Sequence, residues 1–130
     1  MKILALDYGS ARTGVAVSDP TGTLARPLCV VRKASSGAGL AEVARIIGAE
    51  DVERVVVGMP LTLRGNAGAQ AAETQRFVDA LREVVEVPVE TFDERFTTTL
   101  AVQTGGDGEE DARAAAHLLE GYLAWSSRRP

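Results

Sequence analysis

The apolar positions of the chain follow two periods, and the order in which those periods alternate outlines a fold. Ile3 to Leu6 is an unbroken apolar run, as expected for a strand buried on both faces, and it ends at Asp7. After a turn bounded by Gly9 and Gly14, "VAVS" and "LARPLCVVRK" predict two more strands, and the short "DPTGT" link suits antiparallel neighbours. Pro27 inside the third run predicts an edge strand, because proline has no N–H to give to a ladder. From Ser36 the period lengthens. Leu40, Val43, Ala44 and Ile47 recur at helical spacing, with Gly48 as the expected stop. "RVVVG" returns to the buried-strand pattern and stops at Gly58, Met59 and Pro60. A second helix carries Phe77, Val78, Leu81, Val84 and Val85 on one face, and "VPVETF" supplies a fifth strand that ends at Asp93 and Glu94. "TTTLAVQ" predicts a short helix and "TGGDGEE" a loop. Ala112, Ala115, Ala116, Leu119, Tyr122 and Leu123 then form the cleanest helical stripe in the chain.

Three antiparallel strands followed by αβαβ and a closing helix is the order of a ribonuclease H-like fold: class α/β, a five-stranded mixed sheet flanked by helices. At 130 residues the chain is expected to form one domain spanning 1–130. Its 45% hydrophobic and 25% charged content is that of an ordinary globular protein. No stretch has the roughly 18 to 20 apolar residues that a membrane span needs, and the N-terminus does not read as a signal peptide, so a cytoplasmic location is expected. The lone cysteine, Cys29, has no internal disulfide partner and reads as a small buried hydrophobe.

The net charge of -4 excludes a protein that coats nucleic acid by charge alone. The charge is unevenly spread: residues 1–64 hold 8 basic and 6 acidic side chains, residues 65–130 hold 6 basic and 12 acidic. Interest therefore falls on where the acids converge. Ligands of open α/β sheets collect at the carboxyl ends of parallel strands. Asp7 ends the first strand, and Asp93 and Glu94 end the fifth, at the same edge if the two strands run parallel. On the last helix Asp111 falls about 40° from Ala115, toward the packed face. Taken singly, turn hydrogen bonding accounts for Asp7, solvation in a loop for Asp93 and Glu94, and a helix N-terminus for Glu109, Glu110 and Asp111. Together they would repel one another unless a hard divalent cation, Mg²⁺ or Mn²⁺, neutralised them. Two such ions about 4 Å apart support in-line hydrolysis of a phosphodiester without a histidine base.

The other side chains add less. His117 falls on the face of Arg113 and Glu120, as an exposed helical residue would. No serine or cysteine has a convincing base partner. Gly9 and Gly14 lack the spacing of a dinucleotide fingerprint, although a phosphate could meet their amides.

Taken together, "ALDYGSARTGVAVSD" at 5–19, "VVVGMPLTLRGNAG" at 55–68, "DERFTT" at 93–98 and "DARAAAHLLEGYL" at 111–123 resemble the YqgF or RuvX family. That family is described as Holliday junction resolvases and as nucleases that mature the precursor of small-subunit ribosomal RNA. The resemblance covers nearly the whole chain. It implies a ribonuclease H-like fold, a divalent cation and phosphodiester hydrolysis in the bacterial cytoplasm. It also implies Asp7, Glu94 and Asp111 as catalytic and metal-holding acids, with Asp93 as a substitute or fourth ligand. Arg12 and Arg95 match motif arginines, suited to a phosphate or equally to pairing with Asp7 or Glu94. Gly58, Pro60 and Gly65 match the loop after the fourth strand, where substrate can approach the backbone.

The chain departs from the resemblance in one segment, where a longer basic stretch before the last helix is replaced by the acidic "GGDGEED". The phosphate track is then left to Arg12, Arg26, Arg32, Lys33, Arg64 and Arg95, with "RRP" at the C-terminus, and with Gly9 and Gly58 as backbone contacts. Few aromatic residues are available for base stacking, so recognition of nucleic-acid structure rather than sequence is expected. Pre-rRNA and branched DNA are equally compatible partners, and a homodimer would suit symmetric cutting of a junction. Two other readings stay open: a non-catalytic RNA-binding ribosome-assembly factor, and an ATP-binding domain of the actin and sugar-kinase type. The second is disfavoured because such proteins close two domains on the nucleotide.

Overall fold

A computed structural model describes residues 1–60, 68–93 and 108–127. Its elements are β1 (Ile3–Asp7), β2 (Arg12–Ser18), β3 (Ala25–Arg32), α1 (Gly37–Glu50), β4 (Arg54–Met59), α2 (Ala69–Val84), β5 (Val89–Asp93) and α3 (Gly108–Ser126). The expected short helix over "TTTLAVQ" lies outside the described residues. The strands form one sheet in the order β3-β2-β1-β4-β5. β1 pairs antiparallel with β2 and parallel with β4, and β4 pairs parallel with β5. β1 is therefore central, which is why Ile3 to Leu6 carry no polar residue. β3 is an edge strand, as Pro27 requires, and the β2–β3 register slips between Val15 and Ala16, beside that proline.

Alternation along the strands splits the core into two layers. Leu4, Leu6, Val15, Val17, Val55, Val57 and Val89 face α1 and α2, whose Val43, Ile46, Ile47, Phe77, Val78 and Leu81 cover them. Ile3, Ala5, Ala16, Val56 and Phe92 face α3, which covers them with Ala115, Ala116, Leu119, Tyr122 and Leu123. The small Ala5 and Ala16, cross-strand partners, let α3 lie close to the sheet. Nearer its C-terminus α3 is tied to the sheet by polar contacts: the Tyr122 hydroxyl donates to Glu90 Oε1 at 2.7 Å, and Arg54 Nη1 donates to the same oxygen at 2.9 Å. Phe92 meets the Tyr122 ring edge-on with centroids 5.4 Å apart.

Local chemistry moves several predicted boundaries. α1 begins where the Ser36 hydroxyl accepts from Gly39 N–H at 3.0 Å, but it passes through Gly48 and ends at Asp51, which takes the left-handed conformation (φ 56°). Val84 is exposed rather than on the buried face of α2, because the helix stops there and Val85 packs instead. Cys29 is half-buried on an edge strand that has a neighbouring strand on one side only. Asp19 is turn chemistry as expected: its carboxylate accepts from the Thr23 and Leu24 amides and from the Thr21 hydroxyl. These bonds hold the carboxyl below the usual carboxylate range. No described helix is long and apolar enough to cross a membrane.

Candidate active site

β1, β4 and β5 are parallel, so their carboxyl ends share one edge of the sheet, and β1 delivers Asp7 there. Asp7 pairs with Gly14 of β2. Cross-strand partners share a face, and two residues back the same register pairs Ala5 with Ala16, both under α3. Asp7 and Gly14 thus lie on the α3 side. Gly14 was expected at the close of a turn, whereas the structure places it inside β2, and the reason is contact with the last helix. A methyl group on Gly14 would fall 1.9 Å from the Asp111 carbonyl oxygen and 3.1 Å from the Ala112 nitrogen. The first turn of α3 therefore rests on bare backbone, which sets Asp111 over the Asp7–Gly14 pair.

The electrostatics reflect this convergence. The Asp7 carboxyl is pushed up from 3.8 to about 6, chiefly by burial and further by the charge of Asp111. Asp111 Oδ2 is buried and accepts no hydrogen bond from the described residues. Arg12 Nε lies 3.0 Å from that oxygen, a charge contact without hydrogen-bond alignment, and both side chains stay about a third or less exposed. A buried carboxylate oxygen without a hydrogen bond beside a second carboxyl of raised pKa is a donor set suited to a hard cation. Among the described residues no group of three Asp, Glu, His or Cys side chains is close enough to hold a metal ion, so the described part of such a site consists of Asp7 and Asp111.

Among the described residues, the other predicted ones, Arg12 apart, do not join this pair. Glu94, Arg64, Gly65 and Arg95 lie outside the described residues. Asp93 ends β5 opposite Met59, but the pleat puts it on the face of Val89, toward α1 and α2, while Phe92 faces α3. An acid on the far side of the sheet from Asp7 is badly placed as a fourth ligand. Gly58 is buried within β4 and paired with Phe92, so it belongs to the strand rather than to the loop after it. Gly9 serves the closure of its own loop: its amide donates to Thr13 Oγ1 at 3.3 Å, and a methyl there would fall 2.5 Å from the Arg12 carbonyl oxygen. His117 is an exposed helical residue whose Nδ1 lies 3.4 Å from Glu120 Oε1, as its place on the helix suggested.

The partner of Arg12 and the role of Tyr8 were not legible in the sequence. Arg12 pairs with Asp111, whereas its motif had suggested Asp7 or Glu94 as partners. Tyr8, next to Asp7 but on the opposite face of the sheet, is buried; its ring stacks on Phe77 with centroids 4.6 Å apart. Its hydroxyl donates to Glu73 Oε2 at 2.8 Å, which fastens the end of β1 to α2. The detectable signal was the parity itself, since an aromatic residue one step past a strand-end acid must face the other layer.

Comparison with known proteins agrees with this architecture. Residues 1–125 match the RuvX family, described as Holliday junction resolvase. A protein of Chloroflexus aggregans named "Putative pre-16S rRNA nuclease" is 50% identical over 101 residues, covering 78% of this chain and 71% of its own. One of the same name from Chloroflexus aurantiacus is 46% identical over 130 residues, covering 93% and 85%. Among solved structures, Thermus thermophilus RuvC in complex with a Holliday junction substrate superimposes with a TM-score of 0.63 at 18% identity, over 98% of this chain and 97% of that one. That likeness concerns the fold, a ribonuclease H-like mixed sheet with helices on both faces. By the match across 125 residues and the identity to these relatives, the chain belongs to the RuvX family of Holliday junction resolvases, phosphodiester-cleaving nucleases.

Proposed function

We propose that this chain is a cytoplasmic, divalent-metal-dependent nuclease acting on structured nucleic acid, in 5′-end maturation of pre-16S rRNA, in resolution of Holliday junctions, or in both. The observation that carries the reading is the meeting of Asp7 and Asp111 at one sheet edge, where Asp111 Oδ2 has no hydrogen bond from the described residues and the Asp7 carboxyl is pushed up to about 6. Asp7, Asp111 and Glu94 are assigned as catalytic, cation-holding carboxylates. The cation, Mg²⁺ or Mn²⁺, supplies charge neutralisation at the phosphate and activation of the attacking water. Around it the chain positions the substrate. Arg12 offers a planar donor fork to a phosphate beside the acids, and Arg32 stands opposite it across the strands; Arg64 and Arg95 are assigned to the same role by their motif positions. The names of the relatives favour the rRNA precursor, and the family's description favours the junction. A homodimer is the assembly that two symmetric cuts of a junction would require.

A crystal soaked in Mn²⁺ tests the site directly. Anomalous density touching Asp7, Asp111 and Glu94 is expected, and density absent from these acids while present elsewhere overturns the assignment. Incubating the protein with a four-way DNA junction and with a pre-16S rRNA 5′ leader in Mn²⁺ separates the two substrates.

A further inference from the structure

Among the described residues, the cation in contact with Asp111 is Arg12 of the protein itself, and it occupies the oxygen that a metal would claim. Arg12 Nε stands 3.0 Å from Oδ2, the buried oxygen that accepts no hydrogen bond from the described residues. Arg12 is the first residue of β2, and its cross-strand partner is Arg32, so two guanidinium-bearing residues share one face beside the acids. We propose that Arg12 is the counter-ion of Asp111 until a divalent cation binds, and that cation binding passes its guanidinium from Asp111 to a phosphate of the nucleic acid. Cation and phosphate then bind cooperatively through one side chain. The inference rests on the metal-dependent nuclease reading above and adds to it an order of events.

Three features make the exchange feasible. The pair is partly exposed and lacks hydrogen-bond alignment, and contacts of that kind are weak enough to break on demand. Arginine has no proton to lose near neutral pH, so it leaves Asp111 as an intact charge that a phosphate oxygen can take up. Once the cation takes the Asp111 charge, Arg12 faces Arg32 across the strands as a like-charge pair, whose repulsion a phosphate oxygen relieves.

The test is Mn²⁺ binding to the full chain without nucleic acid, followed by the electron paramagnetic resonance signal of free Mn²⁺, in wild type, Arg12→Gln, Arg32→Gln and Asp7→Asn. Arg12→Gln is expected to tighten Mn²⁺ binding about three- to fivefold, the size of a partly exposed ion pair removed from competition. Arg32→Gln removes the same charge from the neighbouring position and is expected to change it less than about twofold. If the two variants behave alike, the effect is general charge and the exchange is overturned. Asp7→Asn is expected to weaken Mn²⁺ binding strongly in every case; wild-type affinity there would overturn the underlying metal reading instead. In a second measurement, Ca²⁺ is expected to raise wild-type affinity for a four-way junction, and this gain to shrink about threefold in Arg12→Gln. An undiminished gain also overturns the proposal.

Discussion

Gly14 and Asp111 touch through their backbones: a methyl group on Gly14 would lie 1.9 Å from the Asp111 carbonyl oxygen and 2.5 Å from its carbonyl carbon. Because both neighbours are main chain, no rotamer change can relieve the clash. Gly14→Ala is expected to force the first turn of α3 off β2 and to cost about 1–3 kcal/mol of stability, read as a lower urea midpoint. The displaced Asp111 should also weaken Mn²⁺ binding. Unchanged stability and Mn²⁺ binding in Gly14→Ala would mean that this contact does not set the site.

Asp7 should leave a signature in the pH dependence of folding. Its carboxyl is raised to about 6 in the fold against 3.8 for the ordinary group, so between these values the folded chain holds a proton that the unfolded chain has released. Stability of the metal-free protein therefore falls as pH rises from about 4 to about 6 and levels off above. The full cost is about 3 kcal/mol, the shift converted at about 1.4 kcal/mol per pH unit. Asp7→Asn removes this component. In EDTA the difference in melting temperature between the variant and wild type should grow from near zero at pH 4 to its maximum above pH 6, with the variant the more stable. A difference that stays constant with pH contradicts the buried, Asp111-facing environment assigned to Asp7.

Tyr8 anchors the strand that ends in Asp7. Tyr8→Phe keeps the stack on Phe77 and loses the bond to Glu73, an expected cost of about 1 kcal/mol. Tyr8→Ala empties a buried site and should cost about 3–5 kcal/mol. Chemical denaturation of the two variants gives both numbers, and equal losses would place the anchor in the hydroxyl alone.

Much of this was legible in the sequence because burial writes a period into it. The central strand, the edge strand marked by Pro27 and the three described helices followed from spacing and turn residues, and Asp7 and Asp111 were recognisable as acids at a strand end and on a packed helix face. What the pattern hid depends on contacts between distant parts of the chain. Gly14 reads as a turn residue until α3 is seen to rest on it, and Gly48 reads as a helix stop although Asp51 provides the left-handed cap. Asp93 reads as a strand-end acid like Asp7, yet the pleat sets it on the opposite face of the sheet from Asp7. Arg12 has several acids within reach by sequence, and only the fold brings Asp111 to it.

The central claim is that Asp7 and Asp111 serve one divalent cation in phosphodiester hydrolysis. The most direct measurement is Mn²⁺-dependent cleavage of a four-way junction and of a pre-16S rRNA 5′ leader by wild type and by Asp7→Asn, with the fold of the variant checked by circular dichroism. The account predicts cleavage of at least one substrate by wild type, abolished by EDTA and reduced at least about a thousandfold in a folded Asp7→Asn. Cleavage at the wild-type rate by that variant would contradict it.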